Sequence, residues 1–220
     1  MTPPEILIKV TDLVFGYPGR PLVIDGLDFE LGSDELVGLT GHNGCGKTTL
    51  LEIIMGLRKP QAGTVEILGK KCTEEKHFRP LRPKMGFVFQ DANDQLFCPT
   101  VADDLAFGPL NLGASRQEAD QVAQKVLDNL GLPDFGPRVT YDLSGGEKKL
   151  VALGTALALS PRLLILDEPT NFLDREAVAR LEEILRQLQL PGVIVSHDVG
   201  FLDKMVKRRY WLEKGRLTAV

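Results

Sequence analysis

Long apolar runs are missing from this 220-residue sequence. The longest, at residues 151–159 and 163–166, fall well short of the ~18–20 residues that cross a bilayer as a helix. Residues 1–10 carry no cleavable-signal pattern, so the expectation is a chain that folds and stays in the cytoplasm. Cysteine is scarce. Cys45, Cys72 and Cys98 form an odd, widely spaced set with no Cys-x-x-Cys and no histidine at metal-ligand spacing, which argues against a disulfide framework and a structural zinc site. Nor is either sign of charge in large excess: 26 Lys and Arg stand against 30 Asp and Glu, a formal net charge of −4. That slightly acidic balance argues against a dedicated nucleic-acid binder, so no nucleic-acid partner is expected. What remains is a globular composition, 43% hydrophobic with ten Phe. It is enough to fill the core of one large domain, or of one domain with a small lobe.

Residues 6–15 and 22–31 are rich in β-branched and aromatic side chains on either side of Tyr17-Pro18-Gly19, which predicts an antiparallel lobe. Residues 35–40 read as a short apolar strand, 41–46 as a Gly-rich loop, and 48–57 as a helix that ends before Lys59-Pro60. Two further short strands are expected at 64–68 and 86–90. From 101 to 130 the pattern is helical, and the capping box Ser115-Arg116-Gln117-Glu118 starts a second helix near 116, which predicts a small helical lobe. After a Pro- and Gly-bearing linker at 132–137, a second capping box, Ser144-Gly145-Gly146-Glu147, opens an apolar helix to about 159. Pro161 stops it. A strand at 162–166, a helix at 175–189 capped by Asp174, and a buried strand at 193–196 follow, and residues 208–213 and 216–220 read as a terminal hairpin. The basic run Lys204, Lys207, Arg208 and Arg209 reads as a solvated face.

The chemistry starts at Gly41-His42-Asn43-Gly44-Cys45-Gly46-Lys47-Thr48, a phosphate-binding loop pattern placed after a strand and before a helix. Glycines there let backbone N–H groups turn inward around phosphates, and the helix N-terminus adds favourable partial charge. Lys47 neutralises phosphate in this reading, Thr48 puts its hydroxyl on Mg²⁺, and Thr49 can bond a neighbouring phosphate oxygen. Cys45 fills a small, non-contact position of the loop. The second element is Leu163-Leu164-Ile165-Leu166-Asp167-Glu168, an apolar strand that delivers two carboxylates to the edge where α/β sheets bind ligands. Asp167 suits the Mg²⁺ shell, and Glu168 suits the orientation and deprotonation of an attacking water. These two motifs leave many nucleotide hydrolases open.

Leu143-Ser144-Gly145-Gly146-Glu147, with Tyr17, Gln90, Asp174 and His197 in the matching order, narrows the field. The chain resembles the ATP-binding subunit of an ABC transporter over essentially all of its length. The resemblance implies an α/β fold: a P-loop NTPase (RecA-like) core with an N-terminal antiparallel β lobe and an inserted α-helical subdomain at approximately 91–160, all within one ABC ATPase domain, 1–220. It implies ATP and Mg²⁺ as cofactors. Tyr17 then stacks on adenine, Gln90 senses Mg²⁺ and water, and His197 contacts the γ-phosphate and the water. Ser144, Gly145 and Gly146 meet the γ-phosphate from a facing subunit, which makes the partner a second copy or a related ATPase.

A finer resemblance lies in Phe89-Gln90-Asp91-Ala92-Asn93-Asp94-Gln95-Leu96-Phe97, then Pro99-Thr100-Val101 and Asp104-Leu105-Ala106-Phe107-Gly108-Pro109. It is similar to the energy-coupling-factor importers of cobalt, nickel, biotin and other vitamins. That implies integral-membrane transport subunits as partners, a peripheral position on the inner face of the cell membrane, and no contact between this chain and the transported solute. Asn171-Phe172-Leu173-Asp174 departs from the small-residue version usual in importers and is closer to tandem-cassette translation factors. The chain also ends at Val220, without the C-terminal dimerisation extension many such ATPases carry, so it is expected to be monomeric or weakly associated without nucleotide. A soluble ATPase acting in translation or another process, and a nucleotide-binding module without hydrolysis, are the alternatives. Because Lys47 supplies the phosphate-neutralising cation, Lys47→Ala is expected to lose nucleotide binding. An equilibrium titration with a fluorescent ATP analogue checks this, and unchanged affinity contradicts it.

Overall fold

The computed structural model describes residues 4–220, so the first three residues of the stretch searched for a leader lie outside it. In chain order the elements are β1 (Ile6–Gly16), β2 (Leu22–Gly32), β3 (Leu36–Thr40), α1 (Lys47–Ile54), β4 (Ala62–Ile67), β5 (Lys70–Cys72), α2 (Glu75–Phe78) and β6 (Met85–Val88). There follow α3 (Val101–Asn111), α4 (Arg116–Asn129), α5 (Gly145–Leu157), β7 (Leu163–Asp167), α6 (Arg175–Leu188), β8 (Gly192–Val195), α7 (Val199–Met205), β9 (Arg208–Glu213) and β10 (Arg216–Ala219).

Two sheets result. The expected antiparallel lobe is a four-stranded sheet in the order β2-β1-β4-β5, with Val10 opposite Phe29 on one side and Val65 on the other. The second sheet has six strands in the order β10-β9-β3-β8-β7-β6. Its five strands from β9 to β6 run parallel, and only β10 is antiparallel. Parallel strands covered on both faces read as unbroken apolar runs, and β7 is one. Its side chains divide with period two. Leu163 and Ile165 join a core shared with the antiparallel sheet and with Leu50, Leu51, Ile53 and Ile54 of α1. Leu164 and Leu166 join a second core under α3, α4, α5 and α6. Each fully buried Leu or Ile contributes about 1.5–3 kcal/mol, so register is strongly specified in the strands that feed both cores.

Local signals place most boundaries. Ser115 and Ser144 each accept from the N–H of the glutamate three residues on, and that glutamate's carboxylate accepts from the serine N–H, completing both capping boxes. Asp174 accepts from Ala177 N at 2.8 Å and caps α6. Three expectations change. The first helix ends at Ile54, not 57, because Gly56 takes a left-handed φ of 69°. The strand expected to reach Gln90 stops at Val88, because the Phe89 N–H donates to the side chain of Gln95 at 3.1 Å instead of to a neighbouring strand. The terminal hairpin exists, but β9 also pairs in parallel with β3 and so belongs to the main sheet. Lys204, Lys207, Arg208 and Arg209 are each ion-paired, with Glu182, Asp34, Glu35 and Asp203.

Gly192 of β8 sits opposite Leu164 of β7. A Cβ there would sit 2.2 Å from the Leu164 carbonyl oxygen. Backbone cannot yield as a side chain does, so Gly192→Ala is expected to destabilise the fold by about 3 kcal/mol, the upper part of the usual cost of overpacking. Urea unfolding reads this as a lower midpoint at unchanged slope.

Candidate functional site

The loop between β3 and α1 is held by contact on both sides. Gly41 and Gly46 have φ of 148° and 110°, and a Cβ on them would lie 2.5 Å from the Leu212 carbonyl oxygen and from Val23 Cγ1 respectively. Only glycine fits these positions. Gly46 caps α1 without a side-chain acceptor, so the first N–H groups of the helix stay free for an anion. Lys47, almost fully buried, donates to the carbonyls of Gly41 (2.8 Å) and His42 (3.1 Å), and its Nζ lies 3.5 Å from His197 Nε2.

The end of β7 faces this loop. The Thr48 hydroxyl donates to Asp167 Oδ2 at 2.8 Å, which joins the two motifs directly. Asp167 Oδ1 and Glu168 Oε1 are buried and accept no hydrogen bond among the described residues. Glu168 has a φ of 47°, rare for a non-glycine residue, and is held there by its own N–H to Val195 O (2.8 Å) and by its Oε2, which accepts from His197 N (3.2 Å). Its Oε1 stands 3.3 Å from His197 Nε2. Burial pushes the Asp167 carboxyl above the usual carboxylate range, against the lowering effect of the Thr48 hydroxyl, and the nearby Glu168 charge adds to the rise.

These groups open into one cavity of about 750 Å³, lined by Tyr17, Asn43, Gly44, Gly46, Lys47, Thr48, Thr49, Gln90, Asp167, Glu168 and His197. Arg20, Val23 and Asn171 join them without having been anticipated. The one signal for Arg20 is that it sits in the same turn as Tyr17; Val23 reads as an ordinary strand residue. Gly41, His42 and Cys45 stand behind the wall: the first two give carbonyls to Lys47, the His42 ring meets Trp211 edge-on at 5.1 Å, and Cys45 packs against the core between the sheets. The Tyr17 hydroxyl shares a 3.0 Å hydrogen bond with Thr49 Oγ1, so the hydroxyl expected to reach a phosphate is engaged with that of Tyr17. Ser144, Gly145 and Gly146 are elsewhere, in a hollow of about 340 Å³ with Phe172, Asp174 and Arg180. The Gly-rich loop and the Ser144 segment thus share no cavity.

Orphaned carboxylate oxygens beside a hydroxyl make a hard-oxygen set. Among the described residues no three His, Cys, Asp or Glu cluster as metal ligands. Thr48 and Asp167 therefore suit a cation that takes most of its shell from phosphate and water, as Mg²⁺ does.

The model of the ABC transporter family matches residues 24–171, more than half of the chain, from β2 to the Asn171 beside Glu168. The chain belongs to the ABC transporter family. The energy-coupling factor transporter ATP-binding protein EcfA of Methanothermobacter thermautotrophicus is 38% identical over 217 residues, 97% of this chain and 70% of that one. CbiO1 from Clostridium perfringens, part of the ABC transporter complex CbiONQ, superposes with a TM-score of 0.88 at 29% identity, covering 97% of this chain and 87% of that one. An ATP-binding cassette solved as a dimer in a post-hydrolysis state with ADP and Pi gives a TM-score of 0.86 at 25% identity, covering 96% of both. As a member of this family the chain is an ATPase, with the α/β architecture expected of a P-loop NTPase. Among the described residues no helix is long and apolar enough to cross a membrane.

The raised carboxyl of this ABC ATPase has a stability consequence. Folded protein holds the Asp167 proton more tightly than the unfolded chain does, so this group's contribution to stability falls as pH rises through the carboxylate range. Asp167→Asn is expected to raise the melting temperature at neutral pH, by about 2–4 °C for each kcal/mol relieved. The same change should cut ATP turnover by about 100-fold. Calorimetry and a phosphate-release assay read the two effects, and a lower melting temperature would contradict the reading.

Proposed function

We propose that this chain, acting as one ATPase domain with a helical subdomain at about 91–160, is the motor subunit of an energy-coupling-factor-type importer for a transition metal ion such as cobalt or nickel, or for a vitamin such as biotin. The observation that carries the catalytic part is the single cavity uniting Lys47, Thr48, Gln90, Asp167, Glu168 and His197. Lys47 leaves its two carbonyls for the phosphates, and the Asn43, Gly44 and Gly46 backbone closes around them. Tyr17 presents its ring to adenine, with the Arg58 guanidinium 5.0 Å from the ring centroid. Thr48 and Asp167, with Gln90 on the same cavity wall, would hold Mg²⁺, which would supply neutralisation of phosphate charge. Glu168 Oε1, free of hydrogen bonds, takes a proton from the attacking water as that water's oxygen bonds the γ-phosphorus and ADP leaves. His197 orients the water and the γ-phosphate.

The separate hollow at Ser144 supports a two-chain site. A helix start with two glycines binds anions well, yet it lies outside the cavity that holds Lys47. A head-to-tail pair, of two copies or with a related ATPase, brings one chain's Ser144, Gly145 and Gly146 to the other's γ-phosphate. The solved relative in its dimeric, ADP-bound state supports this assembly.

Transport draws support from a second, apolar hollow. Phe97 and Phe107 are exposed, meet edge-on at 4.7 Å, and line an apolar hollow of about 730 Å³ with Leu112 and Leu159. Exposed apolar surface of this kind marks a contact with another protein. The occupant is a cytoplasmic segment of the membrane subunits, which sets this chain peripherally on the inner face of the membrane and leaves solute recognition to those subunits. Asn171-Phe172-Leu173-Asp174 favours the alternative, a soluble ATPase in translation, and Phe172 is 90% exposed beside the Ser144 hollow.

Glu168→Gln is expected to bind ATP, lose hydrolysis and sediment as an ATP-dependent dimer. Ser144→Arg added to it should restore the monomer while sparing ATP binding. An ATP-independent mass would overturn the shared site. Phe97→Asp should leave ATP turnover of the isolated chain unchanged and abolish its co-purification with membrane proteins. Recovery of the wild-type chain from cytosol alone, free of membrane proteins, would overturn the transport reading in favour of the soluble one.

A further inference from the structure

Lys149 lies on α5, five residues after Ser144, and is 4% exposed. Its Nζ donates to the carbonyl oxygens of Gln90 (2.7 Å) and Phe89 (3.2 Å) and forms no ion pair among the described residues. Burial lowers its pKa, while Asp167, Asp91 and Glu168 favour its charge from a distance. Burying an ammonium without a directly paired carboxylate is costly, and an apolar side chain of the same length would fill the space at less expense. The two carbonyls are what distinguish a lysine here from such a filler.

The rest of this turn is fastened to the same helix. Gln95 Nε2 donates to Ala152 O and Thr155 Oγ1, both at 2.8 Å, and its Oε1 accepts from Phe89 N. Lys148 donates to Asn93 Oδ1 at 3.0 Å. The Gln90 backbone is thereby fixed to the helix, while Gln90 itself is exposed and lines the cavity. Along a helix, five residues span about 7.5 Å, so one rigid element holds both Gln90 and the phosphate-suited Ser144 end.

We propose that Lys149 is a positioning residue for ATP hydrolysis: its buried ammonium, seated on the Phe89 and Gln90 carbonyls, sets the place of Gln90 at the nucleotide cavity relative to the helix that begins at Ser144. This rests on the role given to Gln90 above. Lys149 is not among the residues that line the cavity and acts through Gln90.

A double-mutant cycle tests it, because the Gln90 carbonyl survives truncation of the Gln90 side chain. A structural effect of Lys149 therefore persists in Gln90→Ala, whereas a positioning effect disappears. Lys149→Met is expected to lower kcat by about 100-fold, the usual cost of a displaced group, with KM for ATP within about threefold. Gln90→Ala should lose a similar factor, and the double variant should be no slower than Gln90→Ala alone. Lys149→Gln, which keeps an amide donor, should recover part of the loss. Losses that multiply in the double variant, or wild-type kcat in Lys149→Met, would overturn the proposal and leave the role of Gln90 standing. Wild-type kcat in Gln90→Ala would overturn both. If Lys149→Met shows no melting transition, the cycle is run with Lys149→Gln; absence of a transition in that variant too would make Lys149 a structural residue and end the proposal.

Discussion

A parallel sheet buried on both faces can offer polar groups to solvent only at its strand ends, and the nucleotide site depends on that constraint. β3, β7 and β8 are adjacent, so Lys47, Asp167 with Glu168, and His197 emerge side by side from three strand ends. The Thr48 to Asp167 hydrogen bond ties two of those ends together across 119 residues of sequence. Wedging of the loop between Leu212 and Val23 ties it to both sheets. The antiparallel sheet therefore does more than cover the core: it sets one wall of the phosphate loop and, through Tyr17, one wall of the cavity.

Buried charge is the cost of this arrangement. Asp167 and Lys149 are each nearly inaccessible, and burial shifts each toward its neutral form. The molecule keeps them because a rigid carboxylate and a rigid ammonium hold neighbouring groups in fixed places, and water would loosen both. The unpartnered oxygens of Asp167 and Glu168 make the same point: a site built to accept from something else leaves its own acceptors unsatisfied.

Much of the fold was readable from the chain, for reasons that vary by element. Capping boxes at Ser115 and Ser144 are local, so their helices start where the sequence indicates. Apolar runs mark β3, β7 and β8 because both faces of each are buried. β5 and α2 are too short to show periodicity, and the parallel pairing of β9 with β3 joins residues some 170 positions apart. α7 went unread although Asp198 caps it, accepting from Phe201 N. At the candidate site, the fold brings the Gly-rich loop and the Asp-Glu pair to one cavity, and both stand out in the sequence by residue type. Arg20, Val23 and Lys149 do not, because their parts come from tertiary packing: a strand valine and a helix lysine look the same in any context.

Residues 89–97 carry two faces of the molecule on one short turn. Gln90 lines the cavity, Phe97 lines the apolar hollow, and the backbone between them is pinned to α5 by Lys149, Lys148 and Gln95. The pins lie inward, and the Phe97 ring is exposed apart from its edge-on contact with Phe107. Side chains on the outer face can therefore be exchanged over evolutionary time without repacking the interior or moving Gln90. Whatever docks on the apolar hollow, its fit can be changed at a few solvent-facing positions while the groups that hold Gln90 stay untouched.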